Sequence, residues 1–321
     1  MKPHNGRAEW LLCTLLCTAA DFLDTVLSTV MPNSKPHISF LPSDVDNMKD
    51  KEILELRTKA PKLHKDYNVR KLTPGTVAKA SQDMDEDMSD ASEANALNLV
   101  FAKTTIPVPR VRRVIKREWD YLIVSDYIKG PLLVDVWSTY SIWKKVCVAF
   151  TLRRYVRQLR QLKASPTTPP GPIGADGPRQ CESPIFGQIQ SRRGPFSSYA
   201  ELTTFFNERA KMGYNAKKLP EDHPSRKQRF DDSEALVFTH QDINPRNIIV
   251  GEDGRLWMID WGWAGYYPPW FEYVAMQRQL QNEEVGGYYH KYWDLLIPFV
   301  CGPYFAQEKW LALMSRGLYY S

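Results

Sequence analysis

The chain has 321 residues, 43% hydrophobic and 25% charged, a length at which one core begins to divide and a composition that excludes wholesale disorder or a polytopic membrane protein. Its 42 basic and 37 acidic residues leave a formal charge of +5, too balanced for the electrostatic footprint of a nucleic-acid binder. Five cysteines (Cys13, Cys17, Cys147, Cys181 and Cys301) show no repeated C-x-x-C spacing, which argues against a disulfide framework or structural zinc and for a reducing, cytoplasmic setting.

Lys2 and Arg7 precede an apolar run from Trp10 to Ala20, so residues 1–20 have the outline of a short secretory signal. Asp21 and Asp24 interrupt that run well before membrane-spanning length. The preferred reading is an amphipathic helix over residues 9–30 packed on the body, with no stable membrane insertion. Pro32, Pro36, Pro42 and Pro61 surround a helix-compatible stretch at 49–59, and residues 1–66 read as an extension with little chemistry. Val69-Arg70-Lys71-Leu72 and Thr76-Val77-Ala78-Lys79 flank Pro74-Gly75 and predict a hairpin. The acidic run 83–90 reads as a solvated loop. A helix follows over 89–104, with Ser89 or Asp90 as N-cap, Glu93 in or near the first turn, and Ala94, Leu97 and Phe101 at helical spacing.

Prolines extend residues 107–113, and 121–127 predicts a strand ending at Lys129-Gly130-Pro131. That break divides a smaller lobe, residues 67–128, from a mainly helical larger one, residues 129–321. In the larger lobe, residues 137–162 predict one or two long helices, 165–195 a Pro/Gly-rich surface insertion, and 199–212 a further helix. The aromatic cluster from Trp257 to Phe271 reads as core before it reads as the lining of a pocket for an amine.

The informative stretch is 236–263. Leu236-Val237-Phe238-Thr239 predicts a buried strand that runs into a polar loop, His240-Gln241-Asp242-Ile243-Asn244-Pro245-Arg246-Asn247, and Ile248-Ile249-Val250 resumes a strand. A turn at Gly251-Glu252-Asp253-Gly254 returns the chain as an antiparallel partner ending at Asp260, which brings Asn247 and Asp260 together. Metal-assisted phosphoryl transfer needs a carboxylate to take the proton of an attacking hydroxyl and separate oxygens to hold Mg²⁺. Asp242, Asn247 and Asp260 are the right residue types.

The pattern H-x-D-x-x-x-x-N at His240, Asp242 and Asn247, followed by Met258-Ile259-Asp260-Trp261-Gly262, resembles the aminoglycoside phosphotransferase and choline kinase-like superfamily, its fungal branch most closely. The resemblance takes in Val77-Ala78-Lys79, Ser92-Glu93-Ala94, Pro107-Val108-Pro109, the hinge-like Asp126-Tyr127-Ile128 and the run Tyr267 to Tyr273, covering roughly residues 67–280. It implies a two-lobed, protein-kinase-like α+β fold, with an antiparallel β lobe bearing one helix and a larger helical lobe. It also implies ATP and Mg²⁺ as cofactors and a small-molecule acceptor with a hydroxyl group.

By the same resemblance Asp242 is the base, Asn247 and Asp260 hold the metal, and Lys79 meets the ATP phosphates and is held by Glu93. His240 braces the catalytic loop, and Asp126 to Ile128 offer backbone groups to adenine. Gln241 stands where relatives often have Gly or Asn. Asn244 replaces the lysine that Ser/Thr protein kinases carry, and Thr73-Pro74-Gly75 is a thin substitute for their glycine-rich phosphate cover, so a protein substrate is disfavoured. The acceptor is expected between the helical lobe and the 165–195 segment. The competing reading is a catalytically silent nucleotide-binding scaffold acting through partners; acceptor and oligomeric state are open.

Overall fold

The computed structural model describes residues 6–30, 42–63, 68–81, 89–285 and 290–319. Pro32, Pro36 and the acidic positions 83–88 lie outside the described residues. The first element is helix α1 (Gly6–Val30). A 3₁₀ turn at Asp44–Asp46 and helix α2 (Asp50–Lys59) precede the hairpin of β1 (Val69–Thr73) and β2 (Thr76–Ala80). Helix α3 (Ser92–Lys103) follows, then β3 (Val111–Lys116) and β4 (Tyr121–Asp126). The four strands form an antiparallel sheet in the order β1-β2-β4-β3.

Val45, Ile53 and Ala60 pack with Leu72, Ala78, Ile115, Leu122 and Val124. The stretch read as a linker thus belongs to the core of the small lobe, because Ile53 sits on the one apolar face that α2 can bury. Two further expectations are corrected. Residues 107–113 do not stay an extended connector but run into β3, whose arginines are held by carboxylates: Arg112 by Asp46 and Asp126, Arg113 by Asp50. Helix α3 starts at Ser92 with extended Ala91 as its N-cap, since Ser89 and Asp90 are drawn to the other lobe.

Gly130 marks the crossing between lobes. Its φ is +144°, and a Cβ there would meet the Val250 carbonyl oxygen at 2.0 Å, so only glycine lets the chain pass. Beyond it come α4 (Leu133–Trp137), α5 (Ile142–Gln161) and α6 (Tyr199–Ala216). Strand β5 (Val237–Thr239), β6 (Ile248–Val250), β7 (Leu256–Met258) and β8 (Gly265–Tyr267) make two short antiparallel pairs, β5 with β8 and β6 with β7. Helices α7 (Trp270–Val285), α8 (Trp293–Cys301), α9 (Phe305–Leu313) and α10 (Ser315–Tyr319) complete the two-lobed, protein-kinase-like α+β architecture.

Residues 165–195 are not a surface insertion. Cys181, Ile185 and Phe186 are buried, and Phe186 meets Phe196, Phe206, Tyr267 and Phe271 at ring distances of 5.4 to 5.9 Å. Trp261, Trp270 and Phe271 are likewise core.

Candidate functional site

Strand β5 is pinned by β8 in the register Val237↔Tyr267 and Thr239↔Gly265, and it delivers His240 to Asn244 as a loop under the sheet of the small lobe. Hairpin β6–β7 pairs Ile248 with Met258, and the Ile259 N–H donates to the Asn247 carbonyl at 3.0 Å. Asn247 and Asp260 are therefore neighbours, as the turn chemistry required.

Asp242 is 9% exposed. Its Oδ1 accepts from Asn244 Nδ2 at 2.8 Å and from Gln279 Nε2 at 2.6 Å, and its Oδ2 accepts from Asn247 Nδ2 at 2.6 Å. Burial, joined by the charge of Asp260, pushes the carboxyl up to about 7, while the three amides pull it back. The Asn282 side chain donates to Gln279 Oε1 at 3.3 Å, which fixes the orientation that aims Gln279 Nε2 at Asp242.

His240 is completely buried. The Asp242 N–H donates to its Nδ1 at 3.1 Å, and its Nε2 faces the Ile259 carbonyl at 3.1 Å. An amide N–H can only donate and a carbonyl only accept, so the ring is the neutral Nε2–H tautomer. Burial lowers its pKa to about 4, in keeping with that state. His240, counted with Asp242 among the catalytic candidates, is thus placed as a brace between the two loops and has no face for a substrate.

Glu272, in α7, accepts the His240 N–H at 2.7 Å and the Gln241 N–H at 2.9 Å. Gln241 has φ +63°, a left-handed conformation that Gly and Asn adopt more readily. Asp260 has φ +63° as well.

Lys79 Nζ lies 2.7 Å from Glu93 Oε1 and 2.6 Å from Asp260 Oδ1. Burial depresses the ammonium, but the two carboxylates more than offset it, and Lys79 stays protonated. Burial likewise opposes the Asp260 charge, and Lys79 outweighs it, so that carboxyl sits below its ordinary value. The ion pair joins the lobes.

The Asp126 side chain is taken up by Arg112, with Arg110 Nε at 3.4 Å, and the Tyr127 N–H donates to the Gly75 carbonyl at 2.8 Å. This leaves Ile128 as the hinge residue whose amide makes no hydrogen bond to another described residue. The turn Thr73-Pro74-Gly75 is thereby fixed at the hinge end of the sheet, about 13 Å along the strand from Lys79 at 3.3 Å per residue, and cannot cover phosphates there. The Leu63 N–H donates to the Val69 carbonyl at 2.9 Å, and residues 64–67 lie outside the described residues.

Asn247 and Asp260 supply an amide oxygen and a carboxylate, hard donors of the kind Mg²⁺ takes. Among the described residues no cluster of three His, Cys, Asp or Glu side chains could hold a metal, so this donor set needs the amide. A separate groove of about 530 Å³ lies away from Asp242, between α1 and α5, lined by Arg153, Arg154, Arg157 and Arg255.

Sequence reasoning assigned no role to Gln279 or Glu272. The signal was present as spacing: they stand seven residues apart, on one face of α7.

A model of the phosphotransferase enzyme family matches residues 79–300. No curated protein matches the chain in sequence. Among solved structures, spectinomycin phosphotransferase with ADP and spectinomycin is 14% identical, covering 83% of this chain and 84% of its own, with a TM-score of 0.42. An aminoglycoside phosphotransferase of Streptomyces rimosus with ADP and streptomycin is 15% identical, covering 85% and 100%, with a TM-score of 0.41. A macrolide 2'-phosphotransferase of Brachybacterium faecium is 14% identical, covering 82% and 92%, with a TM-score of 0.37.

Proposed function

The chain belongs to the phosphotransferase enzyme family, and on that premise we propose that it moves the γ-phosphoryl group of ATP to a hydroxyl of a small molecule, with Asp242 as base. The observation that carries this reading is the convergence of Asp242, Asn247, Asp260 and Lys79 from three separate segments: β2, the loop between β5 and β6, and the end of the β6–β7 hairpin. The acceptor oxygen forms a bond to the γ-phosphorus, the bond from that phosphorus to the ADP oxygen breaks, and the hydroxyl proton passes to the Asp242 carboxylate. A carboxyl pushed up to about 7 by burial takes that proton with little penalty at neutral pH.

Lys79, oriented by Glu93, meets the phosphates. Asn247 and Asp260 would hold Mg²⁺, which when bound neutralises and aligns the phosphate oxygens. The Ile128 amide and the Asp126 carbonyl serve adenine. The acceptor lies beside Asp242, where Gln279 and Asn282 of α7 come closest to it. The cysteines of the described residues are unpaired, and we place the protein in the cytoplasm.

The decisive experiment supplies ATP, Mg²⁺ and a metabolite extract and looks for a mass gain of one phosphate. Asp242→Asn is expected to lower turnover about 10²- to 10⁴-fold while ATP still binds. An undiminished rate would remove Asp242 from the role. ATP binding without product from any acceptor would leave the silent scaffold.

A further inference from the structure

Of the eighteen large hydrophobic side chains exposed among the described residues, twelve lie on three helices that contact one another: eight on α1, three on α5, and Leu295 of α8. Concentration of that kind marks an interaction site, whereas single exposed hydrophobes do not. Helix α1 docks on the body by its opposite face. Asp21 meets Arg153 at 2.7 Å, Asp24 meets Arg157 at 2.7 Å, and the Cys17 thiol faces the Pro298 carbonyl at 3.6 Å. The ion pairs set α1 and α5 running in the same direction. Trp10 accordingly falls toward the end of α5 where Ile142 and Trp143 stand 69% and 75% exposed.

At 100° per residue, the exposed apolar positions from Leu11 to Val26 cover an arc of about 140° opposite the aspartates and a length of about 23 Å. Between Trp10 and Val26 the only charged residues are those two paired aspartates. The hydroxyls are spent as well: Thr14 donates to the Trp10 carbonyl at 2.7 Å, Thr18 to Thr14 at 2.9 Å, and Thr25 to Asp21 at 2.7 Å. Arg7 and Lys144 are exposed at the end that carries the two tryptophans.

We propose that this face docks on an anionic phospholipid bilayer. Helix α1 lies in the plane of the interface with its apolar arc among the acyl chains, Trp10 and Trp143 at headgroup depth, and Arg7 and Lys144 toward the phosphates. Three observations favour lipid over a protein occupant. The arc is far wider than the two positions in seven of a helix-pairing seam. Protein interfaces carry about one hydrogen bond per 100–200 Å², and the threonine hydroxyls of α1 already donate within the helix. Its exposed charged side chains, Arg7 and Lys144, are basic, while Glu9 beside Trp10 and Asp294 beside Leu295 are only half-exposed. No helix among the described residues is long and apolar enough to cross a membrane, so α1 lies on the bilayer. The inference is independent of the phosphotransferase reading.

The test is co-sedimentation of the full chain with phosphatidylcholine vesicles, with and without phosphatidylserine. The protein should pellet with the phosphatidylserine vesicles and be released by salt. Leu15→Glu combined with Phe22→Glu should lower the bound fraction about ten-fold, because two carboxylates must then enter the acyl boundary, while the melting temperature holds. Arg7→Glu with Lys144→Glu should weaken binding only where phosphatidylserine is present. The proposal is overturned if the wild type stays in solution with both vesicles, or if the Leu15/Phe22 variant pellets undiminished. It is also overturned if light scattering shows a lipid-free dimer that those two substitutions separate, since a second copy is then the occupant.

Discussion

At the scale of single residues, the ionisation of Asp242 is the quantity on which the proposed chemistry turns. Its carboxyl is raised by burial and by Asp260 to about 7, and it must be ionised to accept a proton, so kcat/KM should fall as pH drops below neutrality. Gln279 acts against that shift by donating to Oδ1 at 2.6 Å. A hydrogen bond to a charged group contributes about 1.5–3 kcal/mol, so Gln279→Leu should move the acidic limb of the profile up by about one pH unit or more. The rate at pH 7 then drops several-fold, and the rate on the alkaline plateau stays near that of the wild type. An equal loss at every pH would mean that Gln279 orients the carboxylate without tuning it.

Among the elements, α7 does for the catalytic loop what a β-sheet edge does elsewhere: it satisfies backbone donors that no strand pairs. The Glu272 carboxylate takes the N–H groups of His240 and Gln241, and burial pushes it up to about 7 even so. Glu272→Gln sets an amide nitrogen against one of those N–H groups and leaves a buried donor unpaired. The expected cost is about 1–3 kcal/mol, read as a lower melting temperature together with reduced turnover. An unchanged melting temperature would mean that the loop is held from elsewhere.

This pairing also shows where the sequence was legible. The hairpins β1–β2 and β6–β7 could be read because turn residues and alternation sit side by side in the chain, and with them came the approach of Asn247 to Asp260. Strand β3 escaped because Arg112 and Arg113 break its alternation, and the carboxylates that accept them lie far off in sequence. Gln279 stands 37 residues from its partner, and no local pattern ties the two. In 165–195 the prolines and glycines signalled irregular backbone, and irregular was read as exposed. The buried Cys181 and Phe186 show that the two are different properties.

At the scale of the whole molecule, that same segment ties the lobes together beside the site. The Arg179 guanidinium pairs with the Asp90 carboxylate and donates to the Asp90 carbonyl at 2.8 Å, and the Ala175 N–H donates to the same carboxylate at 3.1 Å. Asn95, in α3, donates to the Ile173 carbonyl at 3.1 Å. These contacts hold the first turn of α3, whose second residue is Glu93, and Glu93 in turn holds Lys79. Arg179→Ala removes donors from Asp90 and leaves Cys181 and Phe186 in the core, so the fold should persist while the start of α3 loosens. With about 1–2 kcal/mol lost from the orientation of Lys79, KM for ATP should rise about 5- to 30-fold, with little change in KM for the acceptor. Initial rates with each substrate varied in turn distinguish the outcomes. Equal changes in both constants would place the effect at the shared chemistry of Asp242, and no change in either would show that α3 is positioned by its own packing on the sheet.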